Sequence, residues 1–167
     1  MQKENVLTRR DLLARSMGVA GAFTLGGSFI AATDAAWALE VKHLQPRTMA
    51  TLVQMARDIY PHDSIGDEFY AIAVKGYDTP EQAPGIEEGI AMLDGMSGGG
   101  YLDIGWEADR NAVLRRVQDT EFFQMIRGGL VVGLYNQKEV WPIFGYEGES
   151  FSKGGYMDRG FNDINWL

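Results

Sequence analysis

Apolar residues recur at three- and four-residue intervals along most of this chain, and no stretch sustains the period-two alternation of a half-buried strand. Met49, Leu52, Val53, Met55, Ala56, Ile59 and Tyr60 mark one amphipathic helix, which Pro61 should end because the residue before a proline avoids the helical region. In the polar turn that follows, Asp67 is placed to cap a helix of Phe69, Tyr70, Ile72, Ala73 and Val74. Residues 76–85, with Pro80 and Pro84, read as a loop. Ile86, Ile90, Met92 and Leu93 predict a short helix stopped by Ser97-Gly98-Gly99-Gly100. Residues 107–118 place Ala108, Val113, Leu114 and Val117 on or near one face, with Arg110, Arg115 and Arg116 elsewhere. Asp119 or Thr120 then caps a last helix through Phe122, Phe123, Ile126, Leu130, Val131 and Leu134. The expected fold class is all-α: a small irregular helical bundle over residues 39–134, with a long non-regular tail over 135–167.

That tail is unlike the end of a bundle. It holds Tyr135, Trp141, Phe144, Tyr146, Phe151, Tyr156, Phe161 and Trp166, interleaved with Gly145, Gly148, Gly154, Gly155 and Gly160. It has neither helical nor strand period, so it cannot easily build a core of its own. Aromatics bury large areas with few rotamers to freeze, which suits a segment laid along another surface. That surface is either the chain's own helices or a partner. Trp141, Phe144, Tyr146, Phe151, Tyr156, Arg159, Phe161 and Trp166 are the candidate partner contacts.

Residues 1–38 have the three parts of an export signal. A polar start carries Lys3, Arg9 and Arg10. A mildly apolar run from 12 to 32 is diluted by Gly and Ser, and Ala36 and Ala38 give a small-x-small end. Cleavage is expected after Ala38, leaving Leu39 first. The sequence TRRDLLA, residues 8–14, resembles the twin-arginine motif through Arg9, Arg10, Leu12 and Leu13, with Leu12 where phenylalanine and Ala14 where lysine usually stand. An uncleaved anchor is the alternative, since residues 17–33 reach the lower limit for spanning a bilayer. The 38 residues carry four positive and three negative charges, so residues 39–167 hold −9 of the total −8. An exported, anionic chain destined for the periplasm is expected, and nucleic acid is not expected as a partner on charge grounds.

The chemistry open to the chain is narrow. There is no Cys, which removes thiolate catalysis, Cys-ligated metals and covalent haem attachment, and His43 and His62 are the only imidazoles. Asp58, His62 and Asp63 form one candidate cluster for a general base or a metal, in a free-standing binding protein or enzyme. A helix terminus with satisfied polar side chains is the plainer account of the same residues. Glu87, Glu88, Asp94, Asp103, Glu107 and Asp109 lack the spacing of a calcium loop and read as a solvated face. No catalytic, cofactor-binding or metal-ligating residue is therefore expected.

Three blocks together carry a resemblance: the twin-arginine start, RDIYPHDSIGDEFY (residues 57–70) and GLYNQKEVWPIFGYEGESFSKGGYMDRGFNDINWL (residues 133–167). They resemble the gluconate 2-dehydrogenase subunit 3 family, the small subunits of membrane-associated, FAD-dependent sugar and polyol dehydrogenases. The resemblance implies a non-catalytic subunit that supports assembly and twin-arginine export of a large flavoprotein of the glucose–methanol–choline type. FAD would sit in that partner, and a multihaem cytochrome c subunit commonly takes the electrons onward. The middle of the chain, residues 76–119, supports the resemblance only by its helical character.

Overall fold

The computed structural model describes residues 41–157, together with the backbone of a two-residue antiparallel pair, β1 (Thr24–Leu25) and β2 (Ser28–Phe29). Arg9, Arg10, Leu12, Leu13, Ala36, Ala38, Arg159, Phe161 and Trp166 lie outside the described residues. Five helices make the body: α1 (Pro46–Ile59), α2 (Asp67–Val74), α3 (Ala83–Ser97), α4 (Glu107–Val117) and α5 (Glu121–Tyr135). The chain is all-α in class, a small helical bundle.

Helix α1 is the central element. Its residues from Thr48 to Ala56 are all buried, and Met49, Leu52, Val53 and Met55 meet Ile86, Leu93, Ile126, Leu130 and Leu134 in one apolar core. Helix α1 stops at Ile59, two residues before Pro61, as the proline requires. Thr120 caps α5 by accepting from Phe123 N at 3.2 Å, and Gly98 closes α3 with φ +73°, a conformation that favours glycine.

The widest helix contact joins α2 and α5. It depends on Gly133, where an added Cβ would lie 2.9 Å from the backbone carbonyl oxygen of Ala73. A backbone atom cannot swing away, so the helices would have to part. Gly133→Ala should therefore destabilise by about 1–3 kcal/mol through overpacking, although alanine is the better helix former by about 1 kcal/mol. A lowered urea midpoint would show it; a raised midpoint would mean the helices yield without cost.

Two features depart from the local expectation. Asp67 is not the cap of α2: Gly66 holds that position, and Asp67, the first helical residue, accepts from Arg57 Nη1 at 2.7 Å. Burial raises the Asp67 pKa against the opposing pull of Arg57. Residues 76–85 are only partly a loop, since Lys75–Tyr77 continues α2 as a 3-10 turn and Pro84 sits in the first turn of α3, where its missing N–H costs nothing.

The start of α1 has no side-chain cap of its own at Gln45. Carboxylates from distant sequence instead hold the chain that leads into it. Asp78 accepts the backbone N–H groups of Lys42, His43 and Leu44 at 2.8, 2.8 and 2.9 Å, and Glu87 accepts Gln45 N at 2.7 Å and the Thr48 hydroxyl at 2.6 Å. Four successive donors are thus held by two anions, which also favour the positive end of the helix. Burial alone would raise the Asp78 pKa, but the three N–H bonds and Lys75 bring it down to about 2 from 3.8. A depressed carboxylate contributes stability that is present above its unfolded pKa and lost as pH falls through the folded one. Unfolding midpoints should therefore drop between about pH 4 and pH 2 more steeply in the native chain than in Asp78→Asn. Parallel pH profiles would remove Asp78 as the cause.

Candidate functional site

Asp58, His62 and Asp63 do not form one site. The Asp58 side chain turns into the body between α1 and α4. Its Oδ2 accepts from Arg110 Nε and from the Tyr101 hydroxyl, each at 2.7 Å, and its Oδ1 accepts from Arg110 Nη2 at 3.0 Å and Gln54 Nε2 at 3.1 Å. Arg110 Nη1 donates to the Ile104 carbonyl at 3.1 Å. Asp58, Arg110 and Tyr101 are all buried, and no buried side-chain N or O among the described residues lacks a partner. The hydrogen bond to Asp58 raises the Arg110 pKa, and burial raises that of Tyr101, so the group is a fixed ion pair with a neutral phenol. Both oxygens of Asp58 are thus committed to donors within the fold.

Arg110 was expected away from the apolar face of α4, and it is buried. Its spacing was the available signal: Arg110, Val113, Leu114 and Val117 are one helical stripe, so a cation at the first position must either break the stripe or find an anion inside.

His62 belongs to a different group. Its Nε2 is 2.7 Å from the Tyr135 hydroxyl, and its ring meets Tyr135 and Phe144 edge-on at 5.7 and 5.0 Å. Burial, then the positive charge of Arg57, lowers the His62 pKa, which keeps the imidazole neutral near pH 7. Asp63 is exposed. The acidic residues read as a solvated face are also divided: Glu87 holds the start of α1, Asp94 accepts Tyr101 N at 2.7 Å, and Asp103 pairs with Arg47 at 3.0 Å. Glu88, Glu107 and Asp109 have the character expected of a solvated face. Among the described residues no group of three or more His, Asp or Glu is placed to hold a metal ion, and no helix is long and apolar enough to cross a membrane.

The aromatic tail divides at Tyr146. Its first part belongs to the body: Val140 is fully buried, Trp141 Nε1 donates to the Tyr135 carbonyl at 2.8 Å, and Phe144 packs on His62 and Tyr135. Tyr146 meets Trp141 edge-on at 5.3 Å. Gly148, at φ +94°, passes so near that an added Cβ would be 3.2 Å from the same indole. Beyond it the packing ends. Phe151 is 92% exposed, Tyr156 65% and Met157 89%, although a 3-10 turn, Phe151–Lys153, gives the backbone a defined course. Comparison with family models, with curated proteins and with solved structures finds no match to the chain.

Two further apolar exposures had no periodic signature. Trp106, just before α4, is 78% exposed, and Val131 and Val132 stand on the outer side of α5. Val131 was expected among the core positions of that helix; Ile126, Leu130 and Leu134 occupy them instead.

Proposed function

We propose that this chain is a non-catalytic small subunit of an exported, FAD-dependent sugar or alcohol dehydrogenase, needed for assembly and twin-arginine export of the flavoprotein. The observation that carries the reading is the outer tail, where Phe151, Tyr156 and Met157 stand in solvent on a turn-rich backbone. A chain has little reason to expose aromatic area of this kind unless a partner covers it. The TRRDLL start supports the same reading, because that export route accepts folded cargo and the side chains of Asp58 and His62 are engaged structurally. In this proposal FAD is bound by the partner, electrons pass onward to a multihaem cytochrome c subunit, and the complex works at the periplasmic face of the inner membrane after cleavage following Ala38. The chain itself supplies the address and the grip.

The test is to express the chain with its flavoprotein and replace Arg9 and Arg10 by Lys. The flavoprotein should then remain in the cytoplasm with its FAD bound. Normal periplasmic activity of the flavoprotein in that background would refute the escort role.

A further inference from the structure

Cations are scarce in this chain, and most of its described arginines are engaged. Arg47 and Arg57 pair with Asp103 and Asp67, Arg110 is locked on Asp58, and Arg116 donates to the Met96 carbonyl. Arg115 and Arg127 have no hydrogen-bond or ion-pair partner among the described residues. Both line one open cleft of about 300 Å³ where α4 and α5 meet the end of α1. This volume lies at the lower end of the range for small-molecule sites.

Helical spacing makes the cleft. Asn111 and Arg115 on α4 and its C-cap Gln118 recur along one side, and Phe123 and Arg127 are one turn apart on α5. Ile59, Leu114 and Phe123 give it an apolar wall. Asp58 backs the cleft, but its oxygens are held by Arg110, Tyr101 and Gln54, so its charge is neutralised at close range. The other residues lining the space are Arg115, Arg127, Gln118, Asn111, whose Nδ2 also donates to Glu107 Oε1 at 3.5 Å, and the apolar wall. Two like charges lining one cleft without an anion repel, and neither has an ion pair among the described residues.

We propose that this cleft binds a small organic oxyanion, a carboxylate or phosphate carried on a compact apolar body. The forked guanidiniums match the oxygens of either head group, the apolar wall takes the body, and Asn111 and Gln118 can donate to or accept from polar substituents. The proposal rests on the cleft alone and stands whether or not the chain escorts a flavoprotein.

Calorimetric titration of the full chain tests it, with benzoate and phenyl phosphate as probes, benzamide as the uncharged match and inorganic phosphate as the head group without a body. One or both aromatic anions should bind saturably at one site, and the stronger of them identifies the preferred head group. Benzamide and inorganic phosphate should bind at least about tenfold more weakly. Arg115→Gln with Arg127→Gln should weaken the anion about tenfold or more, while Arg116→Gln, whose side chain bonds elsewhere, should not. Arg115 and Arg127 are exposed, so the circular-dichroism melt of the double variant should match the native chain. Unchanged affinity in the double variant would overturn the proposal, as would failure of both anions to saturate by about 10 mM. Binding of a glutamate-rich peptide, with neither anion bound, would assign the cleft to a protein contact and equally overturn it.

Discussion

Arg110→Ala should lower the stability of this fold by about 3–5 kcal/mol, because it strands the carboxylate of Asp58 inside the body without its cation. For a domain of this size the melting temperature should fall by roughly 10–20 °C. Total stability of such domains is about 5–15 kcal/mol, so the variant would approach the limit of folding. Graded substitutions separate the causes. Tyr101→Phe removes one donor to a charged acceptor and should cost about 1.5–3 kcal/mol. The pair Asp58→Leu with Arg110→Met removes both charges and should recover much of the loss, since apolar replacement of a buried ion pair is often nearly neutral. Urea unfolding of the four proteins is the measurement. A loss below about 1 kcal/mol in Arg110→Ala would mean that water reaches Asp58 and that the pair behaves as a surface bridge.

The second large effect concerns the outer tail and depends on the proposed function. Phe151→Ala with Tyr156→Ala should reduce recovery of the flavoprotein with this chain at least about thirtyfold, as expected when central aromatic contacts worth 2 kcal/mol or more are truncated. The melting curve of the chain alone should not move, because those side chains touch little of the body. Phe144→Ala provides the contrast: it packs on His62 and Tyr135, so it should weaken both the fold and the complex. Full recovery of the flavoprotein with the Phe151 and Tyr156 variant would remove the outer tail as the grip.

What the sequence made legible was local. The period of α1, the stop before Pro61, a cap of α5 at Asp119 or Thr120 and the glycine end of α3 each follow from a handful of neighbouring residues. Pairings across the fold were not legible in that way. Asp58 was grouped with His62 by proximity in the chain, yet its partners Tyr101 and Arg110 lie 43 and 52 residues away. Asp78 fell within an expected loop and Glu87 within an expected solvated face, because nothing in their neighbourhoods marks the uncapped start of α1 as their target. The tail was readable as aromatic but not as two parts. Only the packing of Val140, Trp141 and Phe144 on α5 and His62 divides the rings that touch the body from those that do not.

The carboxylate clasp on residues 42–45 has a mechanical meaning. Tension applied to the chain ahead of Val41 enters the fold at those four backbone amides, not at a free helix end. The load passes through Asp78 and Glu87 to the connection between α2 and α3 and to α3 itself, so several bonds must be sheared together before the first turn of α1 can unravel.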